Sequence, residues 1–227
     1  MDLITEKARP VANEPSKSRW KTPGEFVHSI LSFTRLEIPE AEVYETVATF
    51  DAEVDPLTAH DALSTVFGQK AGMGAYLFRA DSAIAGRYWV RSAQPWTRWP
   101  TLARSALEPK RIVIQLAEGL MYRFNLQACA GRVFVEGNDK RVEPYHTVQE
   151  IEGWFAEQAA ACGMRLLMVS TCPHTLRFAH RGQRFKVAYA SIEGAFEVSN
   201  ASALRKRLFK GFGSYRRCGL GMMELSS

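Results

Sequence analysis

Apolar residues along this chain follow two rhythms, alternation and a 3.6-residue repeat, and the places where one gives way to the other mark out its elements. After a polar lead with Pro10, Pro15, Lys17 and Arg19, Thr22-Pro23-Gly24-Glu25 forms a capping box, and Phe26, Ile30 and Leu31 give the short helix that follows an apolar side. Val43 to Val54 is rich in β-branched and aromatic residues, with no glycine or proline, and predicts a strand. Asp55-Pro56 opens a helix running to Phe67, whose buried stripe is Ala59, Ala62, Leu63 and Val66. His60 lies about 100° round the helix from Ala59, at the border of that stripe, and Ser64 follows one turn later on the same side. Strands are predicted over Tyr76–Asp81, Arg87–Ser92 and Arg111–Ala117, with a turn-rich segment around Trp96, Arg98 and Trp99 between the last two.

The pattern then repeats. Leu120–Cys129 reads as a strand, Gly131–Glu143 as a basic hairpin turning at Gly137-Asn138-Asp139, and Thr147–Cys162 as a helix with a Thr147/Glu150 capping box. Arg165–Thr171 and Arg184–Val198 read as strands, Asn200–Lys210 as a helix stopped by Gly211, and Leu220–Leu225 as a closing strand. Strand, helix, strand, strand and a further strand, twice over, predict an α+β chain of two tandem ferredoxin-like (RRM-like) domains. The expected division is an N-terminal extension with a short helix over 1–41, a first domain over 42–117, and a second over 118–227 that carries the basic hairpin and a glycine-rich C-terminal loop.

Composition bears mainly on partners. The chain has 227 residues and 46% hydrophobic content, enough for a substantial core. It shows no signal-peptide pattern and no apolar span of membrane length, so neither secretion nor a membrane is expected. Cys129, Cys162, Cys172 and Cys218 make no Cys-x-x-Cys pair, which suits a reducing cytoplasm. Cys172-Pro173-His174 with His180 lacks a second ligand pair at zinc spacing, and neither a metal nor a cofactor is expected. The net charge of +5 is modest, but the chain from Arg177 onward is lopsided. There Arg177, Arg181, Arg184, Lys186, Arg205, Lys206, Arg207, Lys210, Arg216 and Arg217 are set against only Glu193, Glu197 and Glu224, a balance that suits a polyanionic partner.

The stretch from Lys210 to Met223 concentrates candidate chemistry. Two Gly-x-Gly units, Gly211/Gly213 and Gly219/Gly221, flank Ser214, Tyr215, Arg216 and Arg217, a combination able to hold a phosphate chain through backbone N–H groups and guanidinium ions. The blander reading is a tight connection with solvated charges. A nucleotide loop needs a following helix whose N-terminus faces the phosphate, and here the order is helix, loop, strand, so nucleotide hydrolysis is disfavoured. His60 is the best general acid or base, since its ordinary pKa lies near neutrality. Arg181, Arg184 and Lys186 are the cations on the segment after His180, with Lys186 pointing opposite to Phe185 and Val187. One histidine, several cations, a Gly-Arg loop and a basic hairpin suit metal-free RNA cleavage, in which a 2'-hydroxyl attacks its own phosphate.

Four pieces resemble one family in order: Leu57-Thr58-Ala59-His60-Asp61-Ala62-Leu63; Tyr76-Leu77-Phe78-Arg79 followed by Val90-Arg91-Ser92-Ala93-Gln94-Pro95; Gly131 to Pro144 with Lys140-Arg141-Val142; and Ile192-Glu193-Gly194-Ala195-Phe196-Glu197-Val198 leading to the glycine loop. Over about residues 42–227 the chain resembles the CRISPR repeat-processing endoribonucleases, the CasE-type subunit of type I-E Cascade and its type IV relatives. The resemblance implies a metal-independent endoribonuclease that binds the stem-loop of a CRISPR repeat. It would cut the precursor to a 5'-hydroxyl and a 2',3'-cyclic phosphate, then stay bound among the other subunits of a CRISPR ribonucleoprotein. By position it makes His60 catalytic, with Lys186 or Arg184 assisting. It places the RNA on Arg132, Lys140, Arg141, Arg181, Lys210, Gly211, Gly213, Ser214, Tyr215, Arg216, Arg217 and Gly219. Arg216 stands where relatives often carry lysine, and Leu57 where some carry a catalytic tyrosine. The alternatives are a catalytically silent subunit that binds the RNA hairpin and, from another class, a phosphate-metabolite enzyme on the same scaffold.

Overall fold

A computed structural model describes residues 40–67, 76–136 and 139–226. The helix expected near Thr22, the 1–41 extension up to residue 39, and the Gly137-Asn138 turn lie outside the described residues. The first half comprises β1 (Glu40–Thr49), α1 (Pro56–Phe67), β2 (Tyr76–Ala80), β3 (Arg87–Ser92), β4 (Ser105–Ala106) and β5 (Lys110–Gln115). β1 pairs with β3 on one side and with β4 and β5 in succession on the other, β2 lies outside β3, and every pairing is antiparallel. This is the spatial order fourth, first, third, second of a ferredoxin-like unit, with the closing strand broken in two. α1 buries Ala59, Ala62 and Leu63 against Phe50, Phe78, Tyr88 and Val90 of the sheet. Among the described residues no second helix follows β3. An irregular segment inserts Trp96 into the core in its place.

The second half is a complete unit with an insertion. Its elements are β6 (Met121–Ala128), the inserted ribbon β7 (Gly131–Glu136) and β8 (Asp139–Pro144), α2 (Val148–Ala161), β9 (Met164–His180), β10 (Gln183–Val198), α3 (Ala201–Lys210) and β11 (Met223–Ser226). The sheet order β11-β6-β10-β9 is again fourth, first, third, second, and β7 pairs only with β8. Local signals set the helix ends. Thr147 Oγ1 accepts a hydrogen bond from Glu150 N at 3.3 Å while the Glu150 carboxylate accepts from Thr147 N at 3.2 Å, completing the capping box of α2. Asn200 Oδ1 caps α3 by accepting from Ala203 N at 2.9 Å. Both helices cover one face of the sheet, burying Phe124, Leu126, Ile151, Phe155, Ile192, Phe196, Leu204 and Leu208. The chain is thus α+β with two tandem ferredoxin-like units.

The hairpin β9–β10 is longer than the pattern predicts. The expected strand over Arg165–Thr171 continues through Pro173 to His180. Proline lacks an N–H donor, but β9 is the edge strand of its sheet, where a missing donor on the outward side leaves no ladder bond unmade. The ribbon turns on Arg181 and Gly182, whose φ values of 48° and 78° are those of a two-residue type I′ turn, matched to strand twist.

The two halves are tied through the last strand. Arg91 on β3, 4% exposed, donates from Nη1 to Met223 O at 2.7 Å and from Nε to Glu45 Oε1 at 2.7 Å. Arg79 on β2 forms an ion pair with Glu224 on β11.

Candidate functional site

Asp55 organises the start of α1. Its Oδ1 accepts from Leu57 N at 2.9 Å and Thr58 N at 3.1 Å, and its Oδ2 accepts from Thr58 Oγ1 at 2.6 Å. Burial acts to raise its pKa, but the hydrogen bonds from Thr58, His180 and Leu57 together outweigh it and leave the carboxyl below the ordinary aspartate value. One turn on, His60 is half-buried, its ring parallel to that of Phe78 at 6.1 Å between centroids. Its Nδ1 lies 2.7 Å from the hydroxyl of Tyr76 on β2. That hydroxyl is also 3.0 Å from the backbone oxygen of His60 and 2.9 Å from Ser64 Oγ, which itself donates to His60 O at 2.8 Å. Burial first, and the Arg217 guanidinium second, hold the imidazole below the ordinary histidine value, while Asp61 pulls the other way. Burial pushes the Tyr76 phenol up to about 12, so it stays protonated at any physiological pH.

Arg217 reaches this place because the glycine loop folds against α1 and β2. α3 ends at Gly211, whose N–H reaches Arg207 O at 2.8 Å, and the chain then doubles back. Phe212 N donates to Gly221 O at 2.9 Å, Gly221 N to Gln127 O at 2.6 Å, and Ser214 N to Cys129 O at 3.2 Å. At Gly221, with φ 91°, a Cβ would stand 2.4 Å from Phe212 O, so only glycine permits the crossing. A Cβ on Gly211 would meet the Leu77 side chain at 2.9 Å, which lets the loop lie on β2. A 3-10 turn, Arg216–Cys218, packs against α1 and β2.

These facts correct the anion-cradle expectation for part of the loop. Gly211 and Gly219 are buried, and the amides of Phe212, Ser214, Cys218, Gly219 and Gly221 are spent on protein carbonyls. Gly211, Gly219 and Gly221 therefore shape the loop from within and present no open amide cradle. Its rim is what faces outward. Tyr215, in a left-handed conformation with φ 55°, is 45% exposed, and Arg217 and Lys210 are exposed. Gly213 and Ser214 are half-buried beside Cys129, and Arg216 is half-buried and tied back, its Nη1 donating to Lys210 O at 2.5 Å.

The tip of β9–β10 also closes on α1. His180 Nδ1 stands 3.3 Å from Asp55 Oδ1 and 3.3 Å from Thr58 Oγ1, and Arg181 pairs with Asp61 at 3.0 Å. The pleat separates the remaining cations. His180, Phe178, Phe185, Val187 and Leu176 share one side of the ribbon, and the inner members of that set pack with Leu57 and Cys218. Arg184, Lys186 and Arg177 occupy the other, exposed side. The ribbon therefore does not bring Lys186 or Arg184 beside His60, contrary to their expected role as its partners. On β7–β8, Arg132, Phe134 and Arg141 share the outer side, with the Arg132 guanidinium 6.0 Å from the Phe134 ring, while Val142 packs inward near Cys218. Lys140 lies in β8, and its side chain is outside the described residues.

The site thus joins a neutral-leaning imidazole, a phenol, a serine hydroxyl and a guanidinium, drawn from α1, β2 and the glycine loop. Among the described residues no group of three or more His, Cys, Asp or Glu is placed to hold a metal ion. Helical spacing put Ser64 on the His60 side of α1, but the contact of Tyr76 with His60 and the latch from Asp55 to His180 join separate elements and no motif marked them.

A pair of ferredoxin-like units with cations and a half-buried histidine where they meet defines the class of protein. The chain belongs to the CRISPR associated protein family, whose family model matches residues 33–226. Its fold is shared with solved structures of low sequence identity. Thermus thermophilus Cse3 bound to an RNA representing a pre-cleavage complex is 20% identical, with a TM-score of 0.66 over 82% of this chain and 100% of that one. The CRISPR-associated protein Cas6e from Escherichia coli is 17% identical, with a TM-score of 0.62 over 82% and 98%. A chain of a CRISPR RNA-guided surveillance complex is 17% identical, with a TM-score of 0.60 over 82% and 98%. No curated protein sequence matches this chain.

Proposed function

We infer that this chain is an endoribonuclease that matures CRISPR RNA, binding the repeat stem-loop and remaining on it as a subunit of an effector complex. One observation carries the reading: the fold places His60, with an imidazole biased towards its neutral form, beside Arg217 of the glycine loop, a residue more than 150 positions away in the chain. A neutral imidazole can take the proton of a 2'-hydroxyl as its oxygen attacks the adjacent phosphorus. As the bond from phosphorus to the 5'-oxygen breaks, that oxygen takes the proton back from the His60 imidazolium, giving a 2',3'-cyclic phosphate and a 5'-hydroxyl and restoring the neutral ring. Arg217 is the cation best placed for the charge on the crowded phosphate, while Arg184 and Lys186 serve RNA on the outer side of the ribbon. Support comes from family membership and from the shared fold of a Cse3 solved with RNA and of a surveillance-complex chain. In this reading the boundary between the halves is put at 117/118, in the link between β5 and β6.

The test is cleavage of a repeat-hairpin RNA in EDTA. The wild type should cut, and His60→Ala should lose about 10²- to 10⁴-fold in single-turnover rate while still binding. The wild-type rate should hold through neutral pH and fall below the ordinary histidine range, because protonation of His60 is displaced to lower pH. Equal cutting by the two proteins removes His60 from the mechanism. Tight binding with no cutting by either supports instead a silent hairpin-binding subunit, the reading favoured by Leu57, whose side chain packs beside Cys218 and Leu220 and offers no hydroxyl.

A further inference from the structure

Tyr76 lies in one of the pieces that carry the family resemblance but was given no role there, and its hydroxyl stands 2.7 Å from the His60 ring. It opens β2, across from α1, and its ring is fixed by stacking on Phe67 at 4.9 Å. Four contacts meet around it: His60 Nδ1 at 2.7 Å, His60 O at 3.0 Å, Ser64 Oγ at 2.9 Å, and Ser64 Oγ to His60 O at 2.8 Å.

Counting protons decides how they are arranged. The backbone oxygen of His60 only accepts, and the Ser64 proton goes to it. The Tyr76 proton goes to Ser64 Oγ or to the same carbonyl. A phenol has one proton, so its 2.7 Å contact with His60 Nδ1 is then filled by a proton on Nδ1, donated to the phenol oxygen. This arrangement puts a proton in each of three contacts. The opposite tautomer, with Nδ1 bare, has only two protons for the same set.

We propose that Tyr76 is a positioning residue that holds neutral His60 in its Nδ1–H tautomer and leaves the Nε2 lone pair as the base. This deepens the proposed function and rests on it. Ser64 completes the relay by taking the Tyr76 proton. When Nε2 accepts the 2'-hydroxyl proton, the imidazolium keeps its Nδ1–H bond to the phenol, and no proton on the Tyr76 and Ser64 side need move. The buried phenol itself neither ionises nor accepts a second proton. The other groups around the imidazole are Asp61 of its own helix, paired with Arg181 from the hairpin tip, Arg217 from the 3-10 turn, and the Phe78 ring. None of these is hydrogen-bonded to Nδ1, so tautomer choice falls to Tyr76 alone.

The experiment combines Tyr76→Phe with nitrogen NMR of selectively labelled histidine in the RNA-free full chain, His60 being identified by its absence in His60→Ala. In the wild type at pH 8, His60 should show a protonated Nδ1 and a bare Nε2. In Tyr76→Phe, which retains the ring stacking, the two tautomers should mix, the cleavage rate should fall about ten-fold or more, and RNA affinity should stay within about two-fold. The acid limb of the pH–rate profile should also shift, which a purely structural role would not produce. A wild-type His60 protonated on Nε2 overturns the proposal, as does a Tyr76→Phe spectrum identical to wild type. Because the tautomer is read without RNA, these outcomes are separate from cutting by His60→Ala, which would overturn the proposed function itself.

Discussion

The two hairpins of the second half look alike in sequence, both of them basic, but one is an inserted ribbon and the other belongs to the sheet, and they hold their basic side chains differently. On β7–β8, Arg132 and Arg141 flank Phe134 on the outer side, and neither is in an ion pair with a described residue. On β9–β10 the tip side chains are engaged: His180 lies against Asp55 and Thr58, and the Arg181 cation against Asp61. A free guanidinium beside an exposed aromatic ring is available to a phosphate and a base together. A cation already facing a carboxylate must give up that partner first. The comparison separates a gripping hairpin from a latching one, a difference invisible in a count of basic residues.

The largest effect should come from the gripping hairpin. Arg132→Ala combined with Arg141→Ala should weaken binding of a repeat hairpin by roughly ten-fold or more at low salt, and lower the slope of log affinity against log salt by about one to two. Thermal stability should hardly move. A filter-binding titration with parallel melts checks both, and an unchanged salt slope would break the assignment.

Asp55→Ala comes next and should do the reverse. Loss of the α1 cap costs about 1–2 kcal/mol, seen as a lower Tm, with little change in RNA affinity. Acid should act in the same direction. The Asp55 pKa is depressed in the fold, so its contribution is full above the ordinary value of 3.8 and is lost as pH falls through the depressed one. Acid titration followed by circular dichroism should therefore show a shallower stability loss below pH 3.8 in Asp55→Ala than in the wild type.

Arg181→Ala should be the mildest. Its pair with Asp61 is exposed, 78% and 54%, and is worth under about 1 kcal/mol in melts. If this variant instead costs as much RNA affinity as the double variant on β7–β8, the latch is a second grip and the comparison falls.

What could be read beforehand was local. Asp55 before α1, Thr147 with Glu150 before α2, and Asn200 with Gly211 around α3 are short-range hydrogen-bonding signals, and those helices begin and end where the signals stand. Strand extent in β9 was less legible, because Pro173 reads as a break unless the strand is known to be an edge. His60 could be placed at the rim of its helix from spacing alone. Its contact with Tyr76 could not, because it depends on how β2 packs across α1. The glycine loop misled for a related reason. Glycine marks both anion cradles and tight chain crossings, and only the positions of Cys129, Leu77 and Phe212 show that this loop is a crossing.

Arg91 has a mechanical consequence. Its guanidinium is buried, and it is held at once by Glu45 in the first sheet and by the Met223 carbonyl in the second. A hinge motion that parted the sheets would leave the buried guanidinium with Glu45 but without its carbonyl acceptor, and a hydrogen bond to a charged group is worth about 1.5–3 kcal/mol. The two sheets are thus pinned to each other at Arg91 and at the Arg79–Glu224 pair, leaving the hairpin and loop rims as the parts with fewest ties to the rest.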